Sequence, residues 1–269
     1  MLLTISHSTR YRYTEPSVHT VQKLRLTPHD SQAQRVVEWS IEAPGIATAA
    51  THVDGFGNRI HLISQAEAHE DVLITAYGTV ETIDTGGVYG PDEPQTNPRV
   101  FLNATALTAS SPGIETLARD IASAAADPLE QVHALMRLVA ERVVYEPWTT
   151  HAGTTAAEAL SAGHGVCQDH AHILIAAARH LDIPARYVTG YLHVADEEPS
   201  VAHHAWAEAF VPDLGWVGLD PANGVCPTEH YVRLSCGFDA VGAAPITGVR
   251  KGSGFENMTV DVVVKQQQQ

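Results

Sequence analysis

The sequence predicts an α+β fold in two parts: a β-sandwich-like N-terminal domain over residues 1–95, and a core over residues 96–269 that turns first to helices and then back to strands. Three observations predict it. Short segments with alternating or β-branched-rich patterns recur through the first ninety or so residues, separated by Pro, Gly, Asp and Asn. Apolar residues then recur at helical spacing, among them Ile114, Leu117 and Ile121. Strand-like runs return after that and end in a separate one near the C-terminus.

The N-terminal strands are "HSTRYRYT", "KLRLTP", "RVVEWSIEAPG", "NRIHLISQ" and "VLITAYGTVETI". Several short strands at this spacing suggest a sandwich. No titratable cluster stands out among them, so a binding or packing role is expected of this half. Residues 86–98, with three Pro and three Gly, read as the linker. Ser111 and Pro112 then start a helix. Asp127, Pro128 and Glu130 start a second: a capping acid, Pro at the first helical position and a capping-box Glu. Its Leu129, Val132, Leu135, Met136, Val139 and Val143 mark a buried face. Thr155 with Glu158 opens a short third helix that ends near Gly163, and "QDHAHILIAAARHL" is a fourth that stops before Pro184. "ARYVTGYLHV", "HHAWAEAFV" and "GWVGLD" read as strands, "ENMTVDVVV" as a last one, and the tail 266–269 as disordered.

With 269 residues and 44 % hydrophobic content, the chain can bury a sizeable core and has room for two domains. Lys and Arg total 16 against 31 Asp and Glu, a formal charge of −15. Such a surface repels phosphate backbones and anionic lipid, so neither nucleic acid nor membrane is expected as a partner. The opening "MLLTISHSTRYRYTEP" lacks the basic and apolar regions of a signal peptide. No stretch approaches the roughly 18 apolar residues of a membrane span. Sequons at Asn103 and Asn257 therefore carry little weight. Three Cys, an odd number, speak against a disulfide framework and for a reducing cytoplasm.

The chemistry concentrates in "SAGHGVCQDHAHILIAAARHLDIPARYV". Cys167 falls at the start of the fourth helix, where unpaired N–H groups and the positive dipole end favour a thiolate. Gly163 and Gly165 allow a tight approach and leave room beside the sulfur. The same N–H groups could hold the oxyanion that forms when a thiolate attacks a carbonyl. A buried structural Cys fits this segment as well, and the segment alone leaves the two open.

A nucleophilic thiol needs a base, and the base needs an orienting partner. "HHAWAEAFV" supplies His204, and "WVGLD" ends at Asp220. If Phe210 faces Trp216 across the hairpin, His204 lies diagonal to Asp220 on one face. That puts their Cβ atoms within about 7–8 Å. A one-residue slip would separate them and bring His203, the rival base, to the same side as Asp220. A metal reading draws on Cys167, His164, His170 and His172, but there is no CxxC pair and the spacing is poor, so no metal and no cofactor is expected. Cys226 and Cys236 read as free thiols with no base nearby.

These residues resemble the bacterial transglutaminase-like superfamily of papain-type cysteine enzymes. The resemblance rests on "TTAAEALSAGHGVCQDHAHILIAAARHLDIPARYVTGYL" and "HHAWAEAFVPDLGWVGLDPANG". It extends to "HSTRYRYTEPSVHTVQKLRLTP" and "DGFGNRIHLI", which look like the β-rich region that precedes the core in many bacterial members. Cys167, His204 and Asp220 align with the family's Cys-His-Asp triad in the same order. His170 and Ala240 depart from the aromatic residues common at these positions, and the resemblance implies a substrate cleft of different shape there.

The resemblance implies a papain-like core, with the thiol on a central helix packed against a small antiparallel sheet. It also implies attack of Cys167 on an amide, protonation of the departing amine by His204, and a thioester that passes to water or to an amine. Gln168 and Trp148 are candidates for a second oxyanion donor. The expected function is that of a peptidase or amide hydrolase on a protein or peptide substrate. The alternatives are a protein-glutamine acyltransferase, which nothing in the residues separates from it, and a non-enzymatic binding module. The acidic surface tilts the substrate toward neutral or basic polypeptides.

Overall fold

Strict alternation in the first strand sets the architecture. In β1 (Leu2–Ser17), Leu3, Ile5, His7, Thr9, Tyr11 and Tyr13 are buried and their neighbours face outward. The computed structural model describes residues 1–91, 96–194 and 203–267. After β1 come β2 (His19–Thr27), β3 (Gln34–Glu42), β4 (Ala50–Val53), β5 (Arg59–Gln65), β6 (His69–Thr82) and β7 (Val88–Gly90). The helical part holds α1 (Pro112–Ala124), α2 (Pro128–Arg142), β8 (Val144–Tyr145), α3 (Ala156–Ala162), β9 (His164–Gly165) and α4 (Cys167–His180). Then follow β10 (Ala185–Leu192), β11 (His203–Val211), β12 (Gly215–Leu219), β13 (Tyr231–Gly237), α5 (Ala240–Ala243), β14 (Ile246–Lys251) and β15 (Glu256–Gln266).

Two four-stranded antiparallel sheets, β15-β1-β6-β3 and β14-β2-β5-β4, form the sandwich. Their inner faces share one apolar core, with Ile5 and Ile74 from the first sheet against Leu24 and Ile63 from the second. A five-stranded sheet, β13-β10-β11-β12-β7, forms the second half. The helix α4 lies on it. From Asp169 to Arg179 it has no exposed residue, because α1, α2 and α3 cover its other sides. Its middle, Ala171 and Ile173 to Ala178, is apolar as a buried helix requires, while the buried Asp169, His170, His172 and Arg179 are polar.

The helix starts read from the sequence are made as expected. Ser111 accepts from Ile114 N, Asp127 accepts from Leu129 N and Glu130 N, and Thr155 with Glu158 forms a full capping box. Chain position and sheet membership do not coincide. The short strand β7, inside the segment expected to be linker, pairs with β12 of the core sheet, while β14 and β15 complete the two sheets of the sandwich. Residues 92–95 of that segment lie outside the described residues. The expected disordered tail is partly a strand: Gln266 ends β15 and Gln267 N donates to Leu2 O at 2.9 Å. The last two of its residues, 268–269, are outside the described set.

Candidate active site

Cys167 occupies the first position of α4, a partly exposed free thiol. The turn before it is built by two close approaches. Gly163 ends α3 at φ 73°, the left-handed region that favours glycine. At Gly165 a Cβ would sit 2.7 Å from the Asp169 side chain, so only glycine lets that carboxylate reach back. Asp169 Oδ2 accepts from Val166 N at 2.8 Å and from Thr150 Oγ1 at 2.6 Å, which holds the helix start in place. The parallel pair β8–β9 brings Tyr145 opposite Gly165.

The hairpin register pairs Phe210 with Trp216 and Ala207 with Leu219, the alignment that sets His204 beside Asp220. His204 Nε2 donates to Asp220 Oδ2 at 2.7 Å, and both side chains are buried. Cys167 is within hydrogen-bond reach of the same imidazole. Burial opposes charge on His204, but its bonds to Asp220 and Cys167 outweigh this and push its pKa up to about 10. Asp220 is likewise buried, yet His204, Tyr231 and Asn223 hold its carboxyl below the usual range.

Tyr231 and Asn223 were not read from the sequence. Tyr231 Oη donates to Asp220 Oδ2 at 2.8 Å and Asn223 Nδ2 donates to the same oxygen at 2.7 Å. The backbone N–H groups of Ala222 and Asn223 bond Oδ1 at 3.0 and 3.3 Å. Asn223 had a signal, since an Asp three residues before an Asn in "DPAN" suits an Asx-type turn. Tyr231 had none, because β13 reaches this site only through the sheet.

His203 goes elsewhere: its Nε2 is 2.8 Å from Thr189 Oγ1, and burial with the nearby His204 lowers its pKa to about 4. The four residues of the metal reading diverge. Both ring nitrogens of His170 lie 2.9 Å from backbone carbonyls, those of Val166 and Val143. His172 Nε2 accepts from Ala240 N at 3.1 Å. Among the described residues no group of three or more His, Cys, Asp or Glu is placed to hold a metal. The structure corrects the reading of Cys226. Its Sγ lies 4.0 Å from His133 Nδ1 on α2, so it does have an imidazole neighbour, although burial pushes this thiol up. Of the two side chains considered as oxyanion donors, Gln168 Nε2 is turned to Ala152 O at 3.3 Å. Trp148 stands 98 % exposed with a left-handed φ of 69°.

An α+β fold with a helix-borne Cys beside a buried His–Asp pair defines a class. Residues 115–221 match the family model of the transglutaminase-like superfamily core, and residues 3–81 match that of the bacterial transglutaminase-like N-terminal region. Together these take in more than half of the chain, which belongs to the transglutaminase-like superfamily. Among its relatives is an uncharacterised protein of Mycobacterium leprae, 28 % identical over 97 % of this chain and 96 % of that protein. A protein-glutamine gamma-glutamyltransferase of Pseudomonas aeruginosa is 32 % identical over 39 % of this chain and 19 % of its own length. The fold is shared with a Cytophaga hutchinsonii protein provisionally described as a cysteine protease, at a TM-score of 0.76 and 23 % identity. That alignment covers 100 % of this chain and 92 % of the other.

Proposed function

We propose that the protein is a cysteine amide hydrolase acting on polypeptides, with Cys167 as nucleophile, His204 as acid and base, and Asp220 as the group that orients His204. One observation carries this reading: a buried His204–Asp220 hydrogen bond of 2.7 Å with Cys167 in reach of the same ring. The sulfur attacks the amide carbonyl and forms a C–S bond. His204 gives its proton to the departing nitrogen as the C–N bond breaks, leaving a thioester. Water then attacks the thioester, His204 takes its proton, and the acid and the thiol are released. In the first turn of a helix the N–H groups have no intrahelical acceptor, so those of Cys167 and Gln168 are the backbone donors for the oxyanion.

A second reading, transfer of the acyl group to a primary amine, is favoured by the similarity of part of the chain to the Pseudomonas gamma-glutamyltransferase. The three free cysteines support a reducing, cytoplasmic setting. The test is to incubate the protein with Gln-containing peptides, with and without a primary amine, and weigh the products. Cleaved or deamidated peptide that Cys167→Ala does not produce supports hydrolysis. Peptide carrying the amine's mass moves the assignment to acyl transfer. No product from either mixture across a broad peptide set counts against both.

A further inference from the structure

The cleft beside Cys167 does not end at the catalytic core. A cavity of about 340 Å³ is lined by Gln168, Tyr187, Thr189 and His203, with α5 and the start of β14 opposite. Gln168, the residue that follows Cys167 at the start of α4, lines this cavity, which places it next to the thiol's turn of helix. It shares His203, Ala244 and Pro245 with a second cavity of about 290 Å³, which lies against His7, Thr9 and Tyr11 of β1 and Met258 and Val260 of β15. That one shares Tyr11, Ile246 and Met258 with a third of about 250 Å³, which ends at Tyr13, Arg250 and Glu256. The three make one trough from the thiol into the N-terminal sandwich.

Its geometry suits a polypeptide. Among the described residues β14 and β15 are the edge strands of their sheets, so within that set each presents an unpaired row of backbone N–H and C=O groups along the trough. From His7 to Tyr13 the floor advances six residues of strand, about 20 Å, and an extended guest advances at the same roughly 3.3 Å per residue. The chemistry of the lining is nearly neutral, although the whole chain carries −15. Among the described residues, only Arg250 and Glu256 bring fixed charges, and they lie at the far end and pair with each other at 3.7 Å. His203 and His7 do not add charge at neutral pH, since burial lowers them to about 4 and about 3.

We propose that this trough is the substrate-binding surface: it takes an extended, uncharged polypeptide segment with apolar side chains at alternate positions, laid as an added strand between β14 and β15. The N-terminal sandwich is thereby a specificity element of the enzyme, through β1 and β15. Charge complementarity removes the tilt toward basic substrates, because the acidic surface does not reach the lining. This inference rests on the amide-hydrolase reading for the meaning of "substrate", but its test does not use turnover.

The experiment reads binding of fluorescein-labelled neutral peptides to full-length Cys167→Ala by anisotropy. A peptide of about ten residues is expected to bind at least about ten-fold tighter than one of about four, because only the longer one reaches β15. In the same background, Met258→Lys with Val260→Lys is expected to erase that advantage, while Asn257→Lys, on the same strand but outside the lining, keeps it. Met258 and Val260 are 55 % and 40 % exposed, and if the pair melts early the single Val260→Lys makes the same comparison. Equal binding of long and short peptides, or an advantage that survives the lysines, overturns the proposal. So does a Cys167→Ala dimer in sedimentation that the lysines split, since the trough would then be covered by a second copy. Tight length-dependent binding without turnover in the intact enzyme would leave the trough standing and defeat the hydrolase reading.

Discussion

Asp220→Asn tests the site at its most constrained atom. Asp220 is fully buried, and its Oδ2 receives His204 Nε2 at 2.7 Å, Asn223 Nδ2 at 2.7 Å and Tyr231 Oη at 2.8 Å. An asparagine keeps the volume and can still accept through one oxygen, but it loses the charge that holds the imidazolium. His204 stands at about 10 instead of 6.5, which corresponds to about 5 kcal/mol between its two protonation states at 1.36 kcal/mol per pKa unit. Without the carboxylate, burial dominates, and His204 should fall toward the lowered range of its neighbour His203 at about 4. The imidazole is then neutral at pH 7, and its tautomer is no longer set by a charged acceptor. We expect kcat to fall roughly 10³–10⁴-fold, as it does in other triads.

Stability should change with a definite sign. A raised pKa contributes stability that is complete below the unfolded value of 6.5 and is lost as pH rises toward about 10. The native protein should therefore lose thermal stability across that window, and Asp220→Asn should show a flatter profile there. Asp220 itself, held below 3.8, contributes above that value and loses its contribution as pH falls through it. The assays are kcat on a cleaved peptide, Tm against pH, and the His204 ring signals by NMR. A variant that keeps a tenth of the activity while His204 still titrates near 10 would refute the reasoning.

Iodoacetamide at neutral pH should label Cys167 well before Cys226, whose thiol burial pushes up, or the buried Cys236; equal labelling of all three in the folded protein counts against the nucleophile. His204→Ala should slow that alkylation and abolish turnover, while His203→Ala, which removes the contacts with Thr189 and the His7 ring but none with Asp220, should leave the alkylation rate unchanged. The reverse pattern would place the base on the wrong strand face. Glu208 is fully buried between Arg186 at 2.6 Å and Arg233 at 2.8 Å, so Glu208→Gln should cost about 3–5 kcal/mol and lower Tm by on the order of 10 °C. A Tm within about two degrees of the parent would show that the buried pairs add nothing. Gly165→Ala should push Asp169 off the helix start, at a cost of about 1–3 kcal/mol and a loss of turnover, and wild-type kinetics there would contradict the close approach.

Local chemistry was legible in the sequence, and long-range pairing was not. Ser111, Asp127 and Thr155 announced their helices because a cap is decided within four residues. The Phe210–Trp216 pairing could be reasoned out because a hairpin register depends on its own short turn and alternation. By contrast, β7 is three residues long and is a strand only because β12 accepts it, more than a hundred residues away in sequence. β13 is buried on both faces, so "YVRLSCG" shows no alternation to read. With β13 invisible, Tyr231 could not be placed on Asp220. The nearness of Cys226 to His133 was hidden for the same reason, since it joins a loop to the side of α2.

The return of the last strand to the first has a consequence for how the chain is made. Leu3 pairs with Gln266 and Tyr13 with Glu256, so β1 acquires its second neighbour only once about 250 more residues have been made. At about 5–20 residues per second, that wait is roughly 10–50 s. Through it, the emerging sandwich has an open edge on β1, which is the kind of template that invites pairing with other chains. Nascent chains of this protein are thus at their most aggregation-prone before residue 256 has left the ribosome. A truncation just short of β15 should misassemble even with every residue around Cys167 intact.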